Sequence, residues 1–139
     1  MAEKITTRNR FSDFDIAFTR VGNEQPYALG IKSDQNSIVQ AIKNLVLTSP
    51  GEKPFLPSFG GGVTNFLFEN ISPETVSELS RNIEYALKLY EPRVVFDSLE
   101  INESKMDSNN VFIDLKYQLV GEPTGTQTRS ATIELVRAI

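Results

Sequence analysis

The chain has 139 residues, 40% apolar and 23% charged, with 14 Lys and Arg against 18 Asp and Glu for a formal net charge of −4. It contains no Cys and no His, which removes thiolate nucleophiles, disulfides, Cys/His zinc centres and serine triads with His as base. Only carboxylate, Lys or Tyr chemistry remains, and the acidic balance argues against phosphate-backbone binding, so no nucleic-acid partner is expected.

A single domain over residues 1–139 is expected, long enough to bury roughly 70% of the surface its unfolded chain would expose. No apolar run approaches the roughly 18 residues of a membrane span, so no membrane partner is expected. Met1 to Arg10 is polar and mixed in charge, unlike a signal peptide. In the next segment Phe11, Phe14, Ile16 and Phe18 alternate with Ser12, Asp13, Asp15 and Ala17. This reads as a short strand or extended arm, part of an N-terminal arm over about residues 1–30. Gly22, Asn23 and Pro26 mark Val21 to Leu29 as loop.

From Asp34 or a neighbouring polar cap the period becomes helical, with Ile38, Ala41, Ile42, Leu45 and Val46 on one side, and Pro50-Gly51 stops it. Between Ser49 and Asn70 the prolines and glycines preclude a long regular element. Phe55, Leu56 and Phe59 predict a loop packed on the core, and Val63, Phe66, Leu67 and Phe68 a short helix. Gly60-Gly61-Gly62 lacks the Lys-Ser/Thr and preceding strand of a phosphate loop, so it reads as a close-packed turn.

Ser72-Pro73-Glu74 opens a helix: Ser72 can cap, Pro73 suits the first turn, and Glu74 complements the positive dipole end. Val76, Leu79, Ile83, Leu87 and Tyr90 carry its apolar stripe to about Tyr90, with Glu78, Arg81, Glu84 and Lys88 on the wetter side. Val94 to Ile101, Val111 to Val120 and Thr128 to Val136 alternate as strands, joined by polar turns at Asn102 to Asn110 and Gly121 to Gly125. In the middle strand Val111, Ile113, Leu115, Tyr117 and Leu119 share one face. In the last, Ala131, Ile133 and Leu135 alternate with polar residues. The fold class is α/β (α+β), with helices packed on one face of a small, mainly antiparallel C-terminal β-sheet.

Helix and sheet meet at Tyr90-Glu91-Pro92-Arg93-Val94. Proline disfavours the α conformation in the residue before it and fixes its own φ, so Glu91 leaves the helix and the exit direction is set. Glu91 and Arg93 are then held at a stiff corner, either as a clamp between helix and sheet or as a docking point.

Several motifs occur together in order: Phe11-Ser12-Asp13-Phe14-Asp15, the run Leu45 to Phe55 containing Pro50-Gly51-Glu52-Lys53-Pro54, Pro57-Ser58-Phe59-Gly60, Leu67-Phe68-Glu69 and Tyr90-Glu91-Pro92-Arg93. With them the chain resembles the baseplate wedge and sheath-initiator family of contractile phage tails, sometimes labelled lysozyme-like and related to a baseplate component of type VI secretion. The resemblance implies a structural protein of the virion's tail baseplate, made in the host cytoplasm. It would act without cofactor, and its partners would be wedge core proteins, tail sheath and tail tube. It implies a docking role for Glu91, Pro92 and Arg93, and a pairing edge along the terminal strand at Thr128, Ser130, Thr132, Glu134 and Val136. The family often has Arg where this chain has Lys53, which keeps the charge but loses the planar fork. Gly22 to Gly30 matches nothing in the family pattern.

The lysozyme-like label raises one enzymatic alternative, a muramidase. It would need two carboxylates about 5–10 Å apart across a sugar cleft, and Glu69 and Glu91 are the motif-associated candidates.

Overall fold

A computed structural model of the chain describes residues 11–17, 31–69, 71–102, 110–121 and 128–136. Contacts cluster into two compact units, Met1–Gln40 and Ala41–Ile139. The loop expected over Val21 to Leu29 and most of both polar turns lie outside the described residues.

In the first unit, β1 (Ser12–Phe14) pairs antiparallel with β2 (Ile31–Ser33), with Asp13 opposite Lys32. The strand reading of Phe11 to Phe18 holds for β1, whereas β2 carried no alternating signal to announce it. Gln40 extends the order of this segment with its side chain: Nε2 donates to the Phe14 carbonyl at 2.6 Å and Oε1 accepts from the Ile16 N–H at 3.3 Å. One amide thus satisfies a backbone acceptor and a backbone donor two residues apart, as a neighbouring strand would. Asp34 adopts φ 50°, a left-handed conformation that Asp tolerates better than most residues. Its carbonyl accepts from Ile38 N–H and from Ser37 Oγ at 2.8 Å, which starts α1 (Gln35–Leu47).

In the second unit the expected helical face of α1 is buried at Ile42, Leu45 and Val46. After it the chain turns back tightly. Gly61 N–H donates to the Leu45 carbonyl at 2.9 Å. A Cβ on Gly61 would stand 3.0 Å from Val46 Cα and 3.5 Å from Ile83 Cγ1. On Gly60, at φ 131°, it would stand within van der Waals overlap of the Thr48 carbonyl. The triple glycine is therefore a close-packed turn, since only hydrogens fit between helix end and returning chain.

α2 (Val63–Phe66) is a single turn. α3 (Pro73–Tyr90) buries Leu79, Ile83, Ala86 and Leu87. It lies against β3 (Val94–Ile101), which opens the antiparallel sheet β3-β4-β5 with β4 (Asn110–Leu119) and β5 (Arg129–Val136). Val111, Ile113, Leu115 and Tyr117 of β4 and Ala131, Ile133 and Leu135 of β5 all point to the core face, as the period of two requires. This is the expected α+β arrangement. The opposite face is polar: Asp114 accepts from Thr132 Oγ1 at 2.5 Å and from Asn102 Nδ2 at 3.3 Å, and Lys116 meets Glu100 across strands at 2.5 Å. The Glu100 carboxylate raises the Lys116 pKa, most through the hydrogen bond.

Two apolar expectations are overturned. The Phe55 to Phe59 segment does not pack on the core: Phe55 is 100% exposed and Leu56 is exposed, while Phe59 is half-buried. Phe68 falls beyond α2 and is 80% exposed. Both lie where successive prolines, glycines or helix ends direct the chain outward, so the backbone route outweighs the hydrophobicity of the side chain.

Candidate functional site

α3 sets the position of the corner. Its start is the one the sequence encodes: Ser72, in extended conformation, accepts from Thr75 N–H at 3.2 Å, and Pro73 occupies the first turn. Hydrogen bonds from its own backbone N–H and from Ser72 hold the exposed Glu74 carboxyl below its ordinary pKa. At the other end of this 18-residue helix Glu91 caps it at φ −131°, its N–H donating to the Leu87 carbonyl at 2.8 Å.

The chain then turns over Pro92 and Arg93. Val94 N–H donates to the Glu91 carbonyl at 3.2 Å, and Val120 N–H donates to the Arg93 carbonyl at 2.9 Å, fastening the corner to the end of β4. Glu91 is buried, 6% exposed, and Arg93 grips it with both forks: Nε donates to Oε1 at 2.5 Å and a terminal guanidinium nitrogen to Oε2 at 2.7 Å. This planar two-point contact is available to Arg and not to Lys. Pro92 stands exposed between them. The intramolecular clamp is thus formed, and it holds a rigid proline outward.

The base of the preceding loop is tied to the same helix end. Phe59 meets Tyr90 edge-on at 4.9 Å between ring centroids, and the Ser58 and Tyr90 hydroxyls are 2.5 Å apart. Lys53 places its ammonium 4.1 Å from the Phe59 ring centroid, a cation–π contact. Phe55 at the loop tip has φ 65°, a conformation that costs a bulky residue about 1–2 kcal/mol. Sequence periodicity could not mark Tyr90 and Ser58 as partners. The one available signal was the pair Pro54 and Pro57 bracketing Phe55-Leu56, which keeps a short apolar segment from folding back.

The second predicted element is the terminal strand. Ser130, Thr132, Glu134 and Val136 are exposed on the polar face, as is Thr128 just before β5. Among the described residues β5 has no strand on its outer side. Its pairing with β4 is continuous over eight residue pairs, Asn110↔Val136 to Tyr117↔Arg129, whereas β3 is broken by a bulge between Phe96 and Ser98. Bulges blunt an edge, so β5 is the regular one. Since Val94 pairs with Leu119 and Arg129 with Tyr117, the corner and the start of β5 lie at the same end of the sheet. Two strand spacings, roughly 10 Å, separate β3 from β5.

The two carboxylates of the enzymatic alternative do not share the groove at Glu69. Glu69 lines an open groove of about 450 Å³ with Gly62, Asn65, Glu78, Asn82 and Tyr85, and Glu91 is not part of its lining. Both Glu91 oxygens are engaged by Arg93, at 2.5 and 2.7 Å, and the residue is buried.

Comparison with known proteins places this geometry. The family described as Baseplate wedge protein gp25 matches residues 32–124. The baseplate wedge protein gp25 of Enterobacteria phage T4 is 33% identical over 115 residues, 81% of this chain and 83% of that protein. Two solved structures share the fold. A Geobacter sulfurreducens protein described as a tail lysozyme has a TM-score of 0.64 at 21% identity, covering 81% of this chain and 98% of the other. A chain of the anti-feeding prophage baseplate has a TM-score of 0.57 at 20% identity, covering 88% and 84%.

Proposed function

Because the chain belongs to the baseplate wedge protein gp25 family, we propose that this component of a contractile-tail baseplate is a non-catalytic adaptor. The corner docks on wedge core proteins, and the β5 edge helps initiate the sheath around the tail tube. The observation that carries the reading is the corner itself. Within the matched stretch, Glu91 and Arg93 neutralise one another and leave Pro92 exposed on a rigid turn, a surface shaped for contact rather than turnover. Preorganisation of this kind reduces the entropy lost on binding.

The β5 edge supports the second half. A regular edge strand offers backbone donors and acceptors to an added strand, with Ser130, Thr132, Glu134 and Val136 setting the register of its neighbours. This edge lies beyond residues 32–124, so the two halves of the reading rest on different observations.

The corner is tested by size-exclusion chromatography of the wild type and of Glu91→Ala/Arg93→Ala with the purified wedge proteins of the same tail, circular dichroism reporting the fold. Loss of the complex with the fold retained supports docking; retained assembly returns the pair to a bracing role. For the edge, Ser130→Lys with Val136→Lys places charged guards on β5 without touching its core residues. Sheath initiation, read by electron microscopy, is expected to fall while wedge binding stays.

A further inference from the structure

We infer that the Pro50–Phe59 loop is a second anchor beside the corner, with Phe55 seating in an apolar socket that carries a carboxylate at its rim, on the wedge protein that the corner engages. The inference rests on the docking reading above and adds to it the chemistry of the partner surface.

Phe55 is 100% exposed, and it is held that way. Its backbone is left-handed, at φ 65°, a conformation costly for a bulky residue. The loop is closed on itself by Gly51 N–H to the Pro57 carbonyl at 2.8 Å, Leu56 N–H to the Lys53 carbonyl at 3.3 Å and Phe59 N–H to the Leu56 carbonyl at 3.0 Å. A segment free to relax would turn such a ring onto nearby apolar surface. Here the strain at Phe55 is retained by the surrounding hydrogen bonds, the pattern found at binding elements. A single convex aromatic fits a concave site, whereas a flat patch would be needed to add a broad apolar face.

Charge identifies the rim. The exposed Glu52 carboxylate is engaged within the loop, accepting from Ser49 N–H at 3.0 Å, while the ammonium of exposed Lys53 lies against Phe59 at the base of the loop. The cation is therefore the group the loop offers to a partner, and a carboxylate complements it. The placement is continuous with the corner: Lys53 contacts Phe59, Phe59 and Ser58 contact Tyr90, and Tyr90 precedes Glu91. One rigid partner surface can cover both.

The test titrates wild type, Phe55→Ala, Phe55→Leu, Lys53→Glu and Arg93→Ala against the purified wedge proteins of the same tail, with p-benzoylphenylalanine at position 55 as a photo-crosslinker in the assembled complex. Phe55→Ala is expected to weaken binding tenfold or more, with Phe55→Leu retaining most of it. Lys53→Glu is expected to weaken it in a salt-dependent way, and position 55 to crosslink to a wedge protein. If Phe55→Ala binds as wild type while Arg93→Ala fails, the knuckle is refuted and the corner stands. The reverse pattern keeps the knuckle and removes the corner. Crosslinking only to sheath protein overturns the assignment of the partner.

Discussion

Arg93 closes on Glu91, two residues before it, with both carboxylate oxygens engaged and Pro92 exposed between them. The pair is asymmetric in burial, the Glu91 side chain being 8% exposed and that of Arg93 28%. Removing Arg93 therefore leaves a buried charge without its main partner, whereas removing both leaves only lost packing. With the discount that partial exposure of Arg93 requires, Arg93→Ala is expected to cost about 1–3 kcal/mol. Glu91→Ala/Arg93→Ala is expected to cost less than that single variant. Urea unfolding of the four members of the cycle measures this; equal costs for Arg93→Ala and the double variant would contradict it.

Tyr117 is wholly buried, and among the described residues its hydroxyl has no hydrogen-bond partner. Tyr117→Phe is expected to raise stability by about 1 kcal/mol, because it removes a desolvated polar group without changing shape. Burial raises the Tyr117 pKa, opposed by Arg129. A raised folded-state value means that this contribution is whole below the unfolded-state pKa near pH 10 and is lost as pH rises through the folded value. The alkaline loss of stability in the wild type is expected to be shallower in Tyr117→Phe, as thermal unfolding at successive pH values would show.

Two glycines with positive φ separate strain from crowding. At Gly51, φ 88°, an added Cβ meets nothing within 4 Å, while at Gly60, φ 131°, it meets the Thr48 backbone at 2.3 Å. Gly51→Ala should cost about 1 kcal/mol from conformation alone. Gly60→Ala should cost more than about 2 kcal/mol, since backbone on both sides must move. Similar denaturation midpoints for the two would show that the turn at Gly60 relaxes freely.

The α3 terminus carries a testable electrostatic signature. Ser72→Ala is expected to cost about 1 kcal/mol through loss of the cap to Thr75 N–H. The lowered pKa of Glu74 reflects bonds that favour its charged form. Its stabilising effect is present above the unfolded-state pKa and lost as pH falls through the folded value. The stability difference between wild type and Glu74→Gln should therefore vanish on acidification. A difference that persists at low pH would point to packing instead.

Phe55 supplies a stability test independent of its partner. Phe55→Gly relieves left-handed strain of about 1–2 kcal/mol, against roughly 0.5–1 kcal/mol for the added freedom of glycine in the unfolded chain. The ring is fully exposed, so no burial is lost. A small net gain in unfolding free energy is expected.

Local pattern determined much of this molecule. The helical period placed α1 and α3, with Pro73 at one end of α3 and Pro92 just past the other. The period of two assigned the core faces of β4 and β5 before any packing was known. Motif order carried the family resemblance. These features are legible because periodicity and proline geometry act over a few residues, within reach of the chain's own covalent structure. Tertiary structure alone decided that Gln40 bonds the backbone at Phe14 and Ile16, that Arg93 closes on Glu91, that β5 rather than the bulged β3 is the regular edge, and that Phe55 is exposed. The Gln40 contacts and the β5 edge depend on which groups a distant segment brings near, the Arg93–Glu91 contact on the side-chain conformations the packed corner selects, and Phe55 on whether any cavity exists to receive its ring. Hydrophobicity gives the side chain a preference for burial, but the loop's backbone route settles whether burial is available.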